Sequence, residues 1–231
     1  MLLNILLLLA PRRAEHDRAR ASGEEALRRF RELGEPQGEA LALSGLGLVA
    51  AVHDEHDRAV ALNEESLRLA RRMEDQGTES RALGNLVAVE LDRGNLDRAA
   101  TLLGDYFSLV SALGDQDQVA IALEAAAALH TARDANERAA RLRGAASALR
   151  ERIDVPAPPE SRERNTAILE SLTVRLGDRY HRAFAAGAAL SPEEAMAEAL
   201  TRSNLPLATD PLAVSLHALD DMLDFNSSRS S

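Results

Sequence analysis

Apolar positions along this chain recur at helical spacing. Between residues 38 and 52, Leu43, Leu46, Val49 and Ala50 fall at i, i+3, i+6 and i+7, one face of a helix. Between residues 57 and 73, Ala59, Leu62, Ser66, Leu69 and Met73 share a face in the same way. The polar stretch His53-Asp54-Glu55-His56 separates the two runs. Helix, turn, helix is therefore the predicted unit. Gly34-Glu35-Pro36, Glu74-Asp75-Gln76-Gly77 and Gly114-Asp115 end the units, since Gly adopts the left-handed geometry that closes a helix cheaply.

The unit repeats. His16-Asp17-Arg18-Ala19 returns as His56-Asp57-Arg58-Ala59, Leu96-Asp97-Arg98-Ala99 and Asn136-Glu137-Arg138-Ala139, each step 40 residues without insertion. The same register aligns Leu33, Met73, Leu113 and Ile153, and also Leu43, Leu83 and Leu123. One hairpin of helices cannot bury its apolar face alone, whereas stacked copies can. Gly45, Gly47, Ala50, Gly84, Ala88, Ala125 and Ala128 supply the small residues where helices approach. Residues 2–13 lie one period before residues 42–53, with Leu3, Leu6 and Leu9 matching Leu43, Leu46 and Val49. They read as the first helix of a truncated leading unit. The run is far shorter than the roughly 20 residues of a spanning helix and lacks the basic stretch of a signal peptide.

Residues 79–99, with Ala82-Leu83-Gly84-Asn85-Leu86 and Arg93-Gly94-Asn95-Leu96-Asp97-Arg98-Ala99, carry a specific likeness. The pattern resembles the tetratricopeptide (TPR) family in its longer, 40-residue form. That resemblance implies an all-α, right-handed superhelical solenoid of antiparallel helix pairs, spanning residues 1–155, followed by a C-terminal helical cap. It also implies a concave surface lined by the first helix of each unit, where a protein or peptide partner binds. The corresponding stripes are Leu41-Gly45-Leu48-Val52, Arg81-Asn85-Ala88-Asp92 and Ile121-Ala125-Ala128-Ala132. Arg81, Asn85, Asp92 and Glu124 are the groove residues it assigns. Asn85 offers an amide to a partner's backbone, and Arg81 can grip a carboxylate with two hydrogen bonds. The family often carries two Asn where this chain has Gly84-Asn85, and Ser44-Gly45 and Glu124-Ala125 depart further.

Asp154-Val155-Pro156-Ala157-Pro158-Pro159 ends the array, because Pro disfavours helix at and before its position. A C-terminal helical region is predicted over residues 160–225. One helix covers 160–176 and a short one 179–186. A third opens at Ser191-Pro192-Glu193-Glu194, a capping-box signature with Pro at the first helical position. Asp210-Pro211 opens a fourth, and residues 226–231 read as a disordered tail. Arg138-Ala139-Ala140-Arg141-Leu142, Gly144-Ala145-Ala146, Leu176-Gly177, Phe184, Gly187 and Leu190-Ser191-Pro192-Glu193-Glu194-Ala195 are similar to the C-terminal end of bacterial signal-transduction ATPases of the LuxR/AfsR/MalT-like kind. In those regulators a tetratricopeptide sensor region follows an NTPase module. The resemblance implies a regulatory sensor, with an NTPase module encoded upstream as a further partner beside the protein or peptide in the groove; an independent scaffold or adaptor is the alternative, and an enzyme with an unrecognised carboxylate site a distant third.

Composition narrows the chemistry. The chain has 231 residues, no Cys and no Lys, all 27 basic residues being Arg. Thiolate metal sites, disulfides, Cys nucleophiles, Schiff bases and a Walker A loop are excluded. Aromatic residues make up 3%, so Leu, Ala and Val must build the core. The net charge of −10, with Arg and acids interspersed, gives no concentrated basic face for nucleic acid. A cytoplasmic protein with no cofactor, no bound metal and no membrane partner is expected. The cluster His53-Asp54-Glu55-His56-Asp57 could ligate a metal. Its register answers otherwise, since His56 aligns with Leu96 and Asn136, and His53 with Arg93 and Arg133. Glu24-Glu25 and Glu64-Glu65, one period apart, read as a solvated helix face early in a helix, where acids suit the dipole. His130, His181 and His217 are isolated, without a triad around them.

Overall fold

A computed structural model describes residues 13–201. Ten α-helices and no strands occur among the described residues. They are α1 (Arg13–Leu33), α2 (Pro36–Val52), α3 (His56–Met73), α4 (Gln76–Asp92), α5 (Leu96–Leu113), α6 (Gln116–Ala132), α7 (Asn136–Ile153), α8 (Pro159–Leu176), α9 (Arg179–Ala188) and α10 (Pro192–Leu200). The first helix assigned to residues 2–13, the helix opening at Asp210-Pro211 and the tail at 226–231 lie outside the described residues, apart from Arg13 itself.

The sequence period is also a structural period. Helices α2, α4 and α6 each have 17 residues, and α3, α5 and α7 each have 18. Turn chemistry places these boundaries. Backbone φ is positive at Gly34, Glu74, Gly114 and Asp154, which occupy one register position, and at Asp54, Gly94 and Asp134, which occupy another. At the first position the chain closes its helix with paired bonds. The Glu74 N–H donates to Arg71 O and the Asp75 N–H to Ala70 O, as Gly34 and Glu35 do to Arg31 and Phe30. Asp75 and Asp115 then cap the next helix by accepting from Thr78, and from Asp117 and Gln118.

Glu74 holds φ 55° without the freedom of Gly. Left-handed geometry costs an L-residue about 1 kcal/mol, offset in part by the greater unfolded-state entropy of Gly. Glu74→Gly is expected to raise stability by about 0.5 kcal/mol, with Asp54→Gly giving less because Asp tolerates this region. Thermal unfolding checks it, and a lower midpoint for Glu74→Gly would refute the assignment of strain.

Successive helices pack on each other from α1 to α7, and first helices also touch the next first helix, α2 on α4, α4 on α6 and α6 on α8. Leu43, Leu83 and Leu123 are fully buried at equivalent places. Ion pairs repeat in step. Arg31 holds Glu39 and Glu65, and Arg71 holds Glu79 and Asp105. Arg58 meets Glu24 as Arg98 meets Glu64, and Arg93 meets Asp57 as Arg133 meets Asp97. Exposed pairs of this kind contribute only tenths of a kcal/mol each. Their recurrence demonstrates that residues 40 apart occupy equivalent surroundings.

The row changes character at its C-terminal end. Helix α8 packs on α6 and α7 where the next first helix would lie, starting at Pro159, the last residue of the proline-rich segment. Gly177 then turns with φ 54° and ψ −132°, a conformation essentially restricted to Gly. Helix α9 has only 10 residues and lies tight against α7. A Cβ on Gly187 would stand 1.8 Å from Arg141 O, and one on Gly144 would stand 2.0 Å from Phe184 O. Helix α10 packs on α6 and α7. Its start is the expected capping box, with Glu194 N–H donating to Ser191 Oγ at 3.1 Å and Ser191 N–H to Glu194 Oε2 at 2.8 Å. Arg141 secures it through both oxygens of Glu198, at 2.6 and 2.8 Å.

Candidate functional site

Three register positions make a polar clasp between units. In the first copy, Asn85 Nδ2 donates to Asn63 Oδ1 at 3.0 Å, Ser44 Oγ at 3.2 Å and Ser44 O at 3.3 Å. Asn63 is fully buried and donates to Ala59 O at 2.8 Å. Gly47 makes room for it, since a Cβ there would come within 2.2 Å of Asn63 Nδ2. One unit on, the same positions hold Gly84, Leu103 and Ala125, and the clasp is absent. Two units on they hold Glu124, Arg143 and Asn165, and the polar contact returns with charge. Asn165 Nδ2 donates to Glu124 Oε2 at 3.0 Å.

Glu124 is 6% exposed, and its other oxygen accepts from Arg150 Nε at 2.5 Å. Arg150, 8% exposed, also donates from Nη1 to Asp117 Oδ1 at 3.0 Å and toward the Val155 and Pro156 carbonyls. Burial works to lower the Arg150 pKa, but Glu124 and Asp117 outweigh it and raise the guanidinium above its ordinary range. Arg143 has no ion pair of this kind. Among the described residues no carboxylate lies within ion-pair distance of it, and its Nε is buried without a hydrogen-bond partner. Burial depresses its pKa, against a partial counter-effect from Glu124. A pocket of about 400 Å³ opens beside these groups between α7 and α8, lined also by Arg162, Glu151 and Leu169.

The four groove residues assigned from the family pattern have different fates. Arg81 is exposed on α4, with no ion-pair partner among the described residues. Asn85 is half-buried and spends its amide on the clasp. Asp92 accepts from Arg164 of α8 at 2.7 Å. Glu124 lies in the buried pair with Arg150. The structure therefore does not gather the four on one open surface. Helix α8 lies over the third stripe, where Ala128 joins a cluster with Ile168 and Leu172, and Leu91 packs against it.

Arg143, Arg150 and Asn165 did not emerge as candidates from the sequence, although a signal was present. Arg150 occupies the register of Phe30, Ala70 and Val110, and Arg143 that of Asn63 and Leu103. A charge at a core position is the anomaly that the repeat exposes.

Other candidates resolve locally. Glu24, Glu25, Glu64 and Glu65 sit in the middle of α1 and α3, not in a first turn, so the dipole contributes little to them. Arginines hold them instead, Glu25 through Arg28 and Arg29. His53 and Asp54 form the α2–α3 turn, and no group of three or more His, Asp or Glu among the described residues could hold a metal. No helix among the described residues is long and apolar enough to cross a membrane. His181 is exposed with its ring at a steep angle to that of Tyr180, and His217 lies outside the described residues.

His130 is buried, with Nε2 at 3.0 Å from Ala199 O of α10. Burial lowers its pKa below 6.5; the Ala199 carbonyl opposes this, Arg138 and Arg133 reinforce it, and Glu198 opposes it. The folded protein thus binds a proton less readily than the unfolded chain. Its contribution is fully present above pH 6.5 and declines as pH falls below that value toward the folded pKa. His130→Gln is expected to flatten the pH dependence of the unfolding midpoint below pH 6.5 relative to wild type. Parallel curves for the two proteins would refute this.

Neither a family model nor a curated protein matches the chain.

Proposed function

We propose that this chain is a protein-interaction module, a tetratricopeptide-type solenoid that binds a partner protein or peptide along the first helices α2 and α4. The observation that carries the reading is the persistence of the 40-residue register in turns, core and ion pairs alike. Each repeated unit has its buried side spent on its neighbours, leaving surface stripes as the part free to recognise something else. Helix α8 occupies the third stripe and reaches Asp92. Upstream of it, Leu41 is 36% and Val52 44% exposed, and Arg81 stands exposed one unit away. An apolar contact on α2 with a carboxylate directed to Arg81 is the recognition chemistry these residues favour.

Within that reading the module is the sensor end of a bacterial signal-transduction regulator. What supports this is the role of the C-terminal block that resembles such proteins. Gly144, Gly187 and Phe184 are the residues at the close approach of α7 and α9, and Gly177 makes the turn before it.

The test is a pull-down from the native host with wild type, Arg81→Glu, Leu41→Glu and the second-helix control Arg68→Glu. A species kept by wild type and the control should fall about tenfold with the other two, the size expected for a central contact. Identical retention by all four proteins would overturn the assigned surface. Coding DNA around the gene tests the regulator separately. An NTPase module in frame or adjacent supports it, and a gene standing far from any such module favours the independent scaffold.

A further inference from the structure

We infer that the pocket between α7 and α8 is a binding site for a small organic oxyanion, a carboxylate or phosphate ester, received by Arg143 and Arg162. This site is separate from the α2–α4 surface and does not depend on it.

The two guanidinium groups that lack an ion-pair partner point to an anion. Three guanidinium groups line the pocket, from Arg143, Arg150 and Arg162. Arg150 is neutralised by Glu124 and Asp117, and Glu124 is further occupied by Asn165. Arg162 donates its Nε to Ala157 O at 3.0 Å. No carboxylate among the described residues lies within 4 Å of the Arg143 or Arg162 guanidinium. Glu151 lies exposed at the pocket and forms no ion pair there. Two guanidinium groups therefore face one cavity without a carboxylate in ion-pair contact among the described residues, with Glu151 standing apart from them in the lining.

A half-buried guanidinium with an unpartnered Nε and no ion pair is a costly arrangement. Its register partners Asn63 and Leu103 are uncharged, so the array does not require a cation there. An incoming oxyanion supplies a counter-charge to both guanidinium groups, in the planar geometry that guanidinium favours. Leu169 and Ala157 give the space an apolar wall, while the Ser147 and Thr166 hydroxyls at its edge donate to Glu151 and to Arg162 O. The volume of about 400 Å³ falls within the range of small-ligand sites. An organic molecule bearing one acidic group fits better than a bare ion.

Thermal unfolding of the full chain with phenyl phosphate, with benzoate and with chloride at equal ionic strength tests the assignment. At about ten times the dissociation constant, either organic anion is expected to raise the midpoint by about 3–6 °C over chloride. The larger response identifies which acid class the site prefers. Arg143→Gln and Arg162→Gln should each reduce that shift by at least half. Arg143→Gln should leave the ligand-free midpoint unchanged or higher, because it removes an uncompensated buried charge. Should Arg143→Gln fail to fold, Arg162→Gln decides, since Arg162 is exposed near the start of α8. The proposal is overturned if neither anion exceeds chloride up to about 20 mM, or if both variants respond as wild type does.

Discussion

Glu124→Ala is expected to destabilise the protein by about 3–5 kcal/mol, among the largest effects of any single polar substitution in the chain. The loss comes less from the contact removed than from what stays behind. Arg150 is 8% exposed and directs its Nε at Glu124. Without that carboxylate, it keeps only Asp117 and two long carbonyl contacts near 3.3 and 3.4 Å. Asn165 loses its acceptor in the same step, which loosens α8. At about 2–4 °C per kcal/mol for a chain of this size, the midpoint should drop by about 6–20 °C. The second half of the experiment separates a lost pair from a general weakness. The preceding unit holds Gly84 and Val110 at the two positions, so the array folds there without charge. Glu124→Ala combined with Arg150→Val should therefore be less damaging than the sum of the single changes, with a coupling of about 2 kcal/mol in urea unfolding. Additive losses would show that the pair is not the unit of stability assumed here.

Gly187→Ala should be the most disruptive single methyl. The added Cβ would stand 1.8 Å from the Arg141 carbonyl oxygen and 2.4 Å from its carbon. Those are backbone atoms within α7, so no side chain can swing aside. Overpacking in cores costs about 1–3 kcal/mol, and a clash between two backbones belongs at or above the top of that range. Helix α9 has only 10 residues, and its docking on α7 is its main anchorage. The expected outcome is local, because each element of a stacked array contacts chiefly its neighbours. Amide exchange should accelerate through α9 and α10 while α2 to α5 stay protected. Gly104→Ala is the contrast. It lies inside α5 with nothing within 4 Å of the new methyl, and it should stabilise by about 0.5–1 kcal/mol. Exchange in α2 to α5 rising as much as in α9 would contradict the local picture.

Much of the architecture was legible before any coordinates. The helix pairs, their turns and the capping box at Ser191 follow from residues close in sequence. Asp75 caps through Thr78 three residues on, and Ser191 through Glu194 at the same distance. Interactions of that range depend on backbone geometry alone, and residue type reports them directly. The equivalence of units was legible for a related reason, since identical local units pack in identical ways.

The candidate site was less legible. Asn85 looked like a surface amide because its stripe faces outward on an isolated helix. In the folded chain its amide meets Ser44, 41 residues earlier. Asp92 was assigned to a partner and meets Arg164, 72 residues later. Glu124 was placed in a groove and lies beneath α8, paired with Arg150. None of these partners is encoded in the spacing around the residue itself.

What the sequence determined by itself was the all-helical period: where each helix begins, where it stops and which face is apolar. Those features rest on hydrogen bonds and dihedrals spanning a few residues. Only the tertiary structure decided which polar groups remain available, because that depends on which distant helix covers them. Helix α8 settles the matter for Asp92, Glu124 and Ala128 by lying over them, and it leaves Arg81 exposed on α4 and Arg143 beside a pocket.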